Sequence, residues 1–323
     1  MTSIWNGDFN LIKKGFIILL LFSVILIIMP KLVYEEKKSY FTINSDAHYE
    51  VLKIINGQNI NMNIHQHDLK KVKVGIIDSG LLPSEELNLK IINKSETNNK
   101  EELSNFHGNI VASIISATET KESTYKGIIP GIELYYYDIP ADELKIESLI
   151  NAISSLTDLE MDIINISMGT NIYDLRLKSI VEKTVQEGTT IVVSAGNSST
   201  EEFNYPASFD IKGIISVGAL DSQLNILKNS TVNNKIDTFA PGENIQSIVN
   251  GDLIMSSGTS VSTPFVTSII ILLKAKCPNL TPKQINDIIT STNNIYNGRW
   301  GGHSKTIKLL NAQEVIITPC NFN

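Results

Sequence analysis

The chain has 323 residues, of which 42% are hydrophobic and 19% charged, with a formal net charge of −7. After a leader of about 70 residues, roughly 250 remain, enough for one large domain with a sizeable core. The acidic balance and the lack of a Lys/Arg-rich stripe argue against nucleic acid as a partner. Cys277 and Cys320 are the only cysteines, so no disulfide framework or redox motif is implied, and two free thiols are favoured over a single bridge.

Phe16 to Met29 carry no charge between Gly15 and Pro30. Extended through Tyr34, the stretch gives about 20 residues with one lysine, enough to span a bilayer. No small-x-small pattern follows it, where Met29-Pro30-Lys31-Leu32-Val33-Tyr34 stands, so a transmembrane anchor over 16–34 is favoured over a cleaved signal peptide. The segment also lacks the polar face of a surface helix. Lys13 and Lys14 lie before it and Lys31, Lys37 and Lys38 after it, so the lysines do not set its orientation. Residues 35–70 are polar and read as a spacer or as a small ordered prelude to the first strand. Within them His65-Gln66-His67 has metal-like spacing, with Asp68 adjacent and His48 upstream. No cysteine or second carboxylate completes a ligand set, so solvated histidines and no metal are expected.

From residue 71 short apolar runs alternate with helix-like stretches. Val72–Ile77 reads as a buried strand ending on Asp78-Ser79-Gly80, a carboxylate at a glycine turn. His107-Gly108 opens an apolar helical run over 108–116. A strand follows at Leu134–Tyr137 and a helix over 146–157. The next strand, Ile163–Ile166, ends on Ser167-Met168-Gly169. A helix over 173–187 precedes the strand Thr190–Ser194, which runs into Ala195-Gly196-Asn197, and a further strand covers Ile214–Val217. Strands buried on both faces with helical crossovers predict an α/β fold with a mostly parallel, doubly wound sheet and helices on both faces. Right-handed crossovers gather the loops after the strand C-terminal ends on one edge, where Asp78, Ser167 and Asn197 fall.

Gly258-Thr259-Ser260 stands before the apolar run that begins Pro264-Phe265. A serine at such a turn has its hydroxyl held where helix N–H groups favour negative charge, as a nucleophile passing through an oxyanion needs. The same run fits a plain helix cap. Taken singly, Asp78 also fits a turn former, His107 a helix-terminal residue and Asn197 a loop cap. His303, after Gly301-Gly302, is read as a loop residue. No calcium loop or dinucleotide or Walker glycine pattern is present, and no cofactor is expected.

Asp78, His107 and Ser260 follow the chain order Asp, His, Ser that distinguishes the subtilisin group. Val192-Val193-Ser194-Ala195-Gly196-Asn197 and Met161 to Gly169 add two further matches. Gly127-Ile128-Ile129-Pro130, Tyr205-Pro206-Ala207, Val217-Gly218-Ala219, Phe239-Ala240-Pro241-Gly242 and Leu310-Asn311-Ala312 follow in order. Over residues 71–315 the chain thus resembles the subtilisin-like serine proteases, the subtilases; 316–323 would be a tail.

The resemblance implies a serine endopeptidase acting on polypeptides. Asp78 would orient His107, His107 would take the Ser260 proton, and the Asn197 amide with the Ser260 N–H would hold the oxyanion. Ser167-Met168-Gly169 would receive the substrate backbone, and Ser194-Ala195-Gly196 would wall the pocket for the residue before the scissile bond. It also implies a peptidase domain outside the cytoplasm, on the single-pass cell-membrane anchor read from the apolar run; residues 35–70 are too short for the full folding prodomain that many secreted subtilases carry, which is a departure from the family. Such short anchored forms resemble peptidases that trim leaders from modified peptides such as lanthipeptides. In the loop Ser198–Asn204, Glu201 and Glu202 would bring negative charge to the pocket rim and favour a basic residue; the alternative is that both face water and Asn204 alone touches substrate. Asn109, Ser113, Val261-Ser262 and Phe265 depart from the family pattern. The rival reading, a catalytically silent binding or regulatory module at the membrane, would not require Asp78, His107, Asn197 and Ser260 together.

Overall fold

Val74–Asp78, Ile163–Ile166 and Thr190–Ser194 are buried at every position, which only a sheet covered on both faces allows. The structure, a computed structural model, describes residues 41–94 and 106–321 apart from Asn44, Asn59, Asn63, His65 and Pro83. The expected anchor over 16–34 lies outside the described residues, among which no helix is long and apolar enough to cross a membrane.

The described residues open with β1 (Phe41–Thr42), α1 (Tyr49–Ile54), β2 (Asn61–Met62) and α2 (Gln66–Leu69). Then come β3 (Val74–Asp78), β4 (Leu89–Asn93), α3 (His107–Ser116), β5 (Leu134–Asp138), α4 (Ile146–Asp158), β6 (Ile163–Ile166), α5 (Leu175–Gln186) and β7 (Thr190–Ser194). The remainder is β8 (Ile214–Leu220), β9 (Thr238–Pro241), β10 (Ile245–Val249), β11 (Asp252–Ser256), α6 (Thr259–Lys276), α7 (Pro282–Thr292), β12 (Asn294–Trp300), β13 (His303–Leu309) and α8 (Ala312–Ile317).

The main sheet runs β12-β13-β9-β8-β7-β6-β3-β5-β4, parallel throughout except for β12 against β13. His303 opens β13 and pairs with Trp300 across a turn, so it is a strand residue and not the loop residue expected. Successive strand residues point to opposite faces. Ile77, Ile164 and Val193 pack on α4 and α5 through Ile153, Leu156 and Val181. Ile76, Ile163 and Val192 join the other core, with Ile114 of α3 and Phe265 and Ile269 of α6. Helix α6 is buried from Thr259 to Lys274, with apolar residues on every side and the Ser262, Thr263 and Ser268 hydroxyls donating to carbonyls of the preceding turn. β3 pairs with β5 on one side and β6 on the other, so the loops leaving β3 and β6 diverge and open a crevice at their C-terminal ends.

Residues 41–70 are not a spacer. Ile43, Leu52, Ile55, Ile60, Ile64 and Leu69 are buried in the α6-side core, and Ile55 O accepts from Ala312 N at 2.8 Å. The prelude alternative is the one the structure shows for this stretch. His48 is likewise not solvated: it is fully buried, 2.9 Å from the Tyr125 hydroxyl through Nε2 and edge-on to Phe265. Tyr125 donates its own proton to Gln246 O, so Nε2 donates to Tyr125 and Nδ1 is left as a buried acceptor without a partner. Burial disfavours the imidazolium and lowers the His48 pKa to about 4.

The unfolded chain therefore takes up a proton near pH 6.5 that the folded chain refuses until about pH 4. Stability present above pH 6.5 is lost as pH falls through that window, by about 1.4 kcal/mol per pH unit. The unfolding free energy from urea titrations should thus fall less between pH 7 and pH 5 in His48→Phe than in the parent, by about 2 kcal/mol. An equal fall in both would show that His48 does not titrate in this way.

The cysteines are bridged, Cys277 to Cys320, with Cα atoms 5.2 Å apart, against the expectation of free thiols. Cys277 caps α6, and Lys276 donates to Ile316 O and Thr318 O at 2.7 Å each, which draws the C-terminal segment alongside. Within the expected tail over 316–323, residues 316–320 are accordingly fastened to the domain.

Candidate active site

Asp78 ends β3 at the crevice and is 1% exposed. Its Oδ1 accepts the Ser79 N–H at 2.7 Å and lies 2.6 Å from His107 Nδ1. Next to it in register stands Asp138 at the end of β5, whose Oδ1 accepts the Gly80 N–H at 2.8 Å. The turn after β3 is thereby held by two buried carboxylates. His107 is the first residue of α3, and the following Gly108 donates to Ser79 O at 2.8 Å and Gly80 O at 3.1 Å. That docking needs a glycine, because a Cβ at Gly108 would collide with the Tyr136 hydroxyl and lie 2.7 Å from Gly80 O.

Nε2 of the His107 ring is 2.9 Å from Ser260 Oγ. Burial disfavours the imidazolium, but the charge and hydrogen bond of Asp78 together outweigh it, so the His107 pKa is raised.

Ser260 is the second residue of α6. Four residues on, Pro264 has no N–H with which to take up the Ser260 carbonyl. Ser167 Oγ donates to that carbonyl instead, at 3.1 Å. Asn165 Nδ2 donates to Ser167 Oγ at 3.0 Å, and Thr267 Oγ1 to Asn165 Oδ1 at 2.8 Å. A buried polar relay thus joins the end of β6 to both sides of the first turns of α6. Asn197 Oδ1 accepts from Thr259 N at 2.9 Å and Thr259 Oγ1 at 3.2 Å. With the oxygen so engaged, the Asn197 amide is oriented with its NH2 end beside the nucleophile turn.

All four candidate catalytic residues thus meet at one edge of the sheet. Of the six candidate substrate-binding residues, Ser194 and Ala195 are buried, and Ser167 is committed through its hydroxyl to Ser260. Met168, Gly169 and Gly196 are half-buried. Glu201 does not bring unpaired charge to the pocket: it pairs with Lys305 at 2.5 Å, whose hydrogen bond and charge lower its pKa. Among the described residues no cluster of His, Cys, Asp and Glu could hold a metal. Asn165, Thr267 and Asp138 were not singled out from the sequence; Pro264, which frees the Ser260 carbonyl, was the one signal that something must cross to it.

The departures at Asn109, Ser113 and Phe265 each have a partner. Asn109 accepts from Leu82 N and donates to Leu82 O, at 2.7 and 3.0 Å. Ser113 Oγ accepts from Ile248 N at 3.1 Å, and Phe265 meets the His48 ring.

The Subtilase family sequence profile matches residues 69–310. Subtilisin DY of Bacillus licheniformis is 30% identical over 231 residues, covering 68% of this chain and 83% of the relative. Subtilisin NAT of Bacillus subtilis subsp. natto is 33% identical over 244 residues, 71% of this chain, and the match spans 63% of its own length. The nisin leader peptidase NisP from Lactococcus lactis shares the fold with a TM-score of 0.65 and 20% identity, over 85% of this chain and 95% of that structure. With a profile match across most of its length and relatives at this level of identity, the chain belongs to the subtilase family and is a serine protease.

Proposed function

We propose that the protein is a membrane-anchored serine endopeptidase that trims polypeptides, with Asp78, His107, Ser260 and Asn197 as its catalytic residues. The observation that supports this most directly is the unbroken chain from Asp78 through His107 to Ser260, with contacts of 2.6 and 2.9 Å. Substrate runs as an added strand along Ser167-Met168-Gly169. Its residue before the scissile bond enters between that edge and Ser194-Ala195-Gly196. Ser260 Oγ attacks the scissile carbonyl while His107 Nε2 takes its proton, and Asp78 stabilises the imidazolium so formed. The carbonyl oxygen becomes an oxyanion that accepts from the Asn197 amide and the Ser260 N–H. His107 then gives its proton to the leaving amine, which departs and leaves an acyl-Ser260. A water molecule, deprotonated by His107, repeats the sequence on that ester and restores the serine.

The processing role is supported by the shared fold with a leader peptidase and by the apolar run over 16–34, which would hold the enzyme where exported peptides pass. The Cys277–Cys320 bridge fits an oxidising compartment and hence a peptidase domain outside the cytoplasm.

A fluorophosphonate probe added to the full-length protein should label Ser260. The labelled protein should sediment with membranes and resist salt extraction, since salt does not screen hydrophobic transfer. Folded protein without an adduct on Ser260 would overturn the catalytic assignment. A soluble product beginning near residue 35 would overturn the anchored one.

A further inference from the structure

Gly80 joins two parts of the site that must keep their places relative to each other, the end of β3 with Asp78 and the start of α3 with His107. Its carbonyl accepts the Gly108 N–H at 3.1 Å, beside the Ser79 carbonyl at 2.8 Å, so α3 is seated on this turn. Gly80 has a positive φ of 71°, a conformation that glycine enters freely and leaves as freely. The turn therefore has to be held from outside, and β5 holds it on both sides of one residue. Asp138 stands in register with Asp78 on the neighbouring parallel strand, is buried, and accepts the Gly80 N–H through Oδ1 at 2.8 Å. Two residues earlier, on the same face of the strand, the buried Tyr136 hydroxyl donates to Gly80 O at 3.3 Å and occupies the place that a Cβ on Gly108 would take. The backbone at Asp138 is itself fixed on both sides. Its carbonyl accepts from Asn93 Nδ2 of β4 at 2.9 Å, and the next N–H, that of Ile139, donates to Asp78 O at 2.9 Å.

We infer that Asp138 is a positioning residue for catalysis: by holding Gly80 it seats α3 and so sets the 2.6 Å contact between Asp78 and His107. The inference rests on the hydrolytic assignment above and adds a residue to its machinery. Asp78 touches the imidazole, whereas Asp138 acts through the Gly80 peptide. Without an acceptor at position 138 the buried Gly80 N–H is left unpaired, which is costly, and rotation about the glycine offers relief. The first turn of α3 moves with Gly80, and His107 with it. A displacement of about 1 Å in a catalytic group lowers the rate by about 10²-fold. Tyr136 does not substitute for Asp138, since its hydroxyl is bonded to the carbonyl of Gly80 and not to its N–H.

The test compares Asp138→Ala, Asp138→Val and Asp138→Asn in the full-length protein. Asparagine keeps an oxygen for the Gly80 N–H; valine keeps most of the volume and suits a strand but, like alanine, offers no acceptor. For each, kcat and KM are measured on a reporter peptide, with the low-field proton resonance of His107 Nδ1–H as a direct reading of its bond to Asp78. Alanine and valine are expected to lower kcat by about 10²-fold with KM within about threefold of the parent, and to move the resonance upfield as the contact lengthens. Asparagine should restore kcat to within about fivefold of the parent and return the resonance to its place. Alanine or valine variants with the parent's kcat or an unmoved resonance, or an asparagine variant as impaired as they are, would overturn the inference. So would failure of both the alanine and valine variants to fold, which would make Asp138 a structural residue. A parent that cuts no peptide is a separate result, seen before any variant is made, and would overturn the hydrolytic assignment and this inference with it.

Discussion

Ser260→Ala is expected to lower kcat by about 10⁶-fold with little change in stability. In subtilisin, a relative, loss of the serine alone costs about 2 × 10⁶ in kcat, and the magnitude is carried over from there. The hydroxyl lies 2.9 Å from His107 Nε2, and its loss removes a hydrogen bond worth about 1 kcal/mol net to folding. The Ser260 carbonyl keeps its bond from Ser167, so the turn should hold. Residual hydrolysis would come from the Asn197 donor and from substrate binding. Rates on a reporter peptide, with unfolding midpoints measured alongside, are the check. Activity within about tenfold of the parent in pure variant would remove Ser260 from the mechanism.

Asp78→Asn should cost about 10⁴-fold in kcat, the loss seen when the equivalent carboxylate is replaced in a serine protease of another fold. The amide leaves the geometry but fails to hold the imidazole in the tautomer that accepts the Ser260 proton. A second readout is qualitative. The parent His107 pKa is raised, because Asp78 outweighs burial. As the base must be neutral, kcat/KM should climb with pH through a value above about 6.5. Without the carboxylate only burial remains, so the acid limb of the residual activity should move to lower pH. The stability effect carries the matching sign. A raised folded-state pKa contributes stability that is fully present below the unfolded value and is lost as pH rises through the folded one. The substitution should therefore destabilise more at pH 5 than at pH 9. An acid limb that stays in place would separate Asp78 from the titration of His107.

Much of this architecture is written in local patterns. Ile163–Ile166 and Thr190–Ser194 carry apolar residues on both faces, the mark of a parallel strand covered on both sides. Asp78, His107 and Ser260 each stand at the end of such an element, where a short motif suffices to mark them. What escaped depends on partners distant in the chain. His48 looks solvated until Tyr125 and Phe265 are brought round it. Glu201 looks like a charged rim until Lys305, 104 residues away, reaches it. The β12–β13 hairpin is largely exposed, so it lacks a clear alternation, although Gly301-Gly302 is a recognised two-residue hairpin turn. The pairing of Cys277 with Cys320 needed the C-terminal segment to fold back beside α6, which no count of cysteines can supply.

The helix that carries Ser260 is fastened at both ends. At its start the carbonyl that Pro264 cannot engage is bonded by Ser167, and at its end Cys277 is covalently tied to Cys320. Neither fastening involves the loop Ser198–Asn204, most of which is exposed. Substitutions in that loop should therefore leave the nucleophile in place. In such a molecule that exposed loop can vary while the support of the nucleophile stays the same, because the two rest on different parts of the chain.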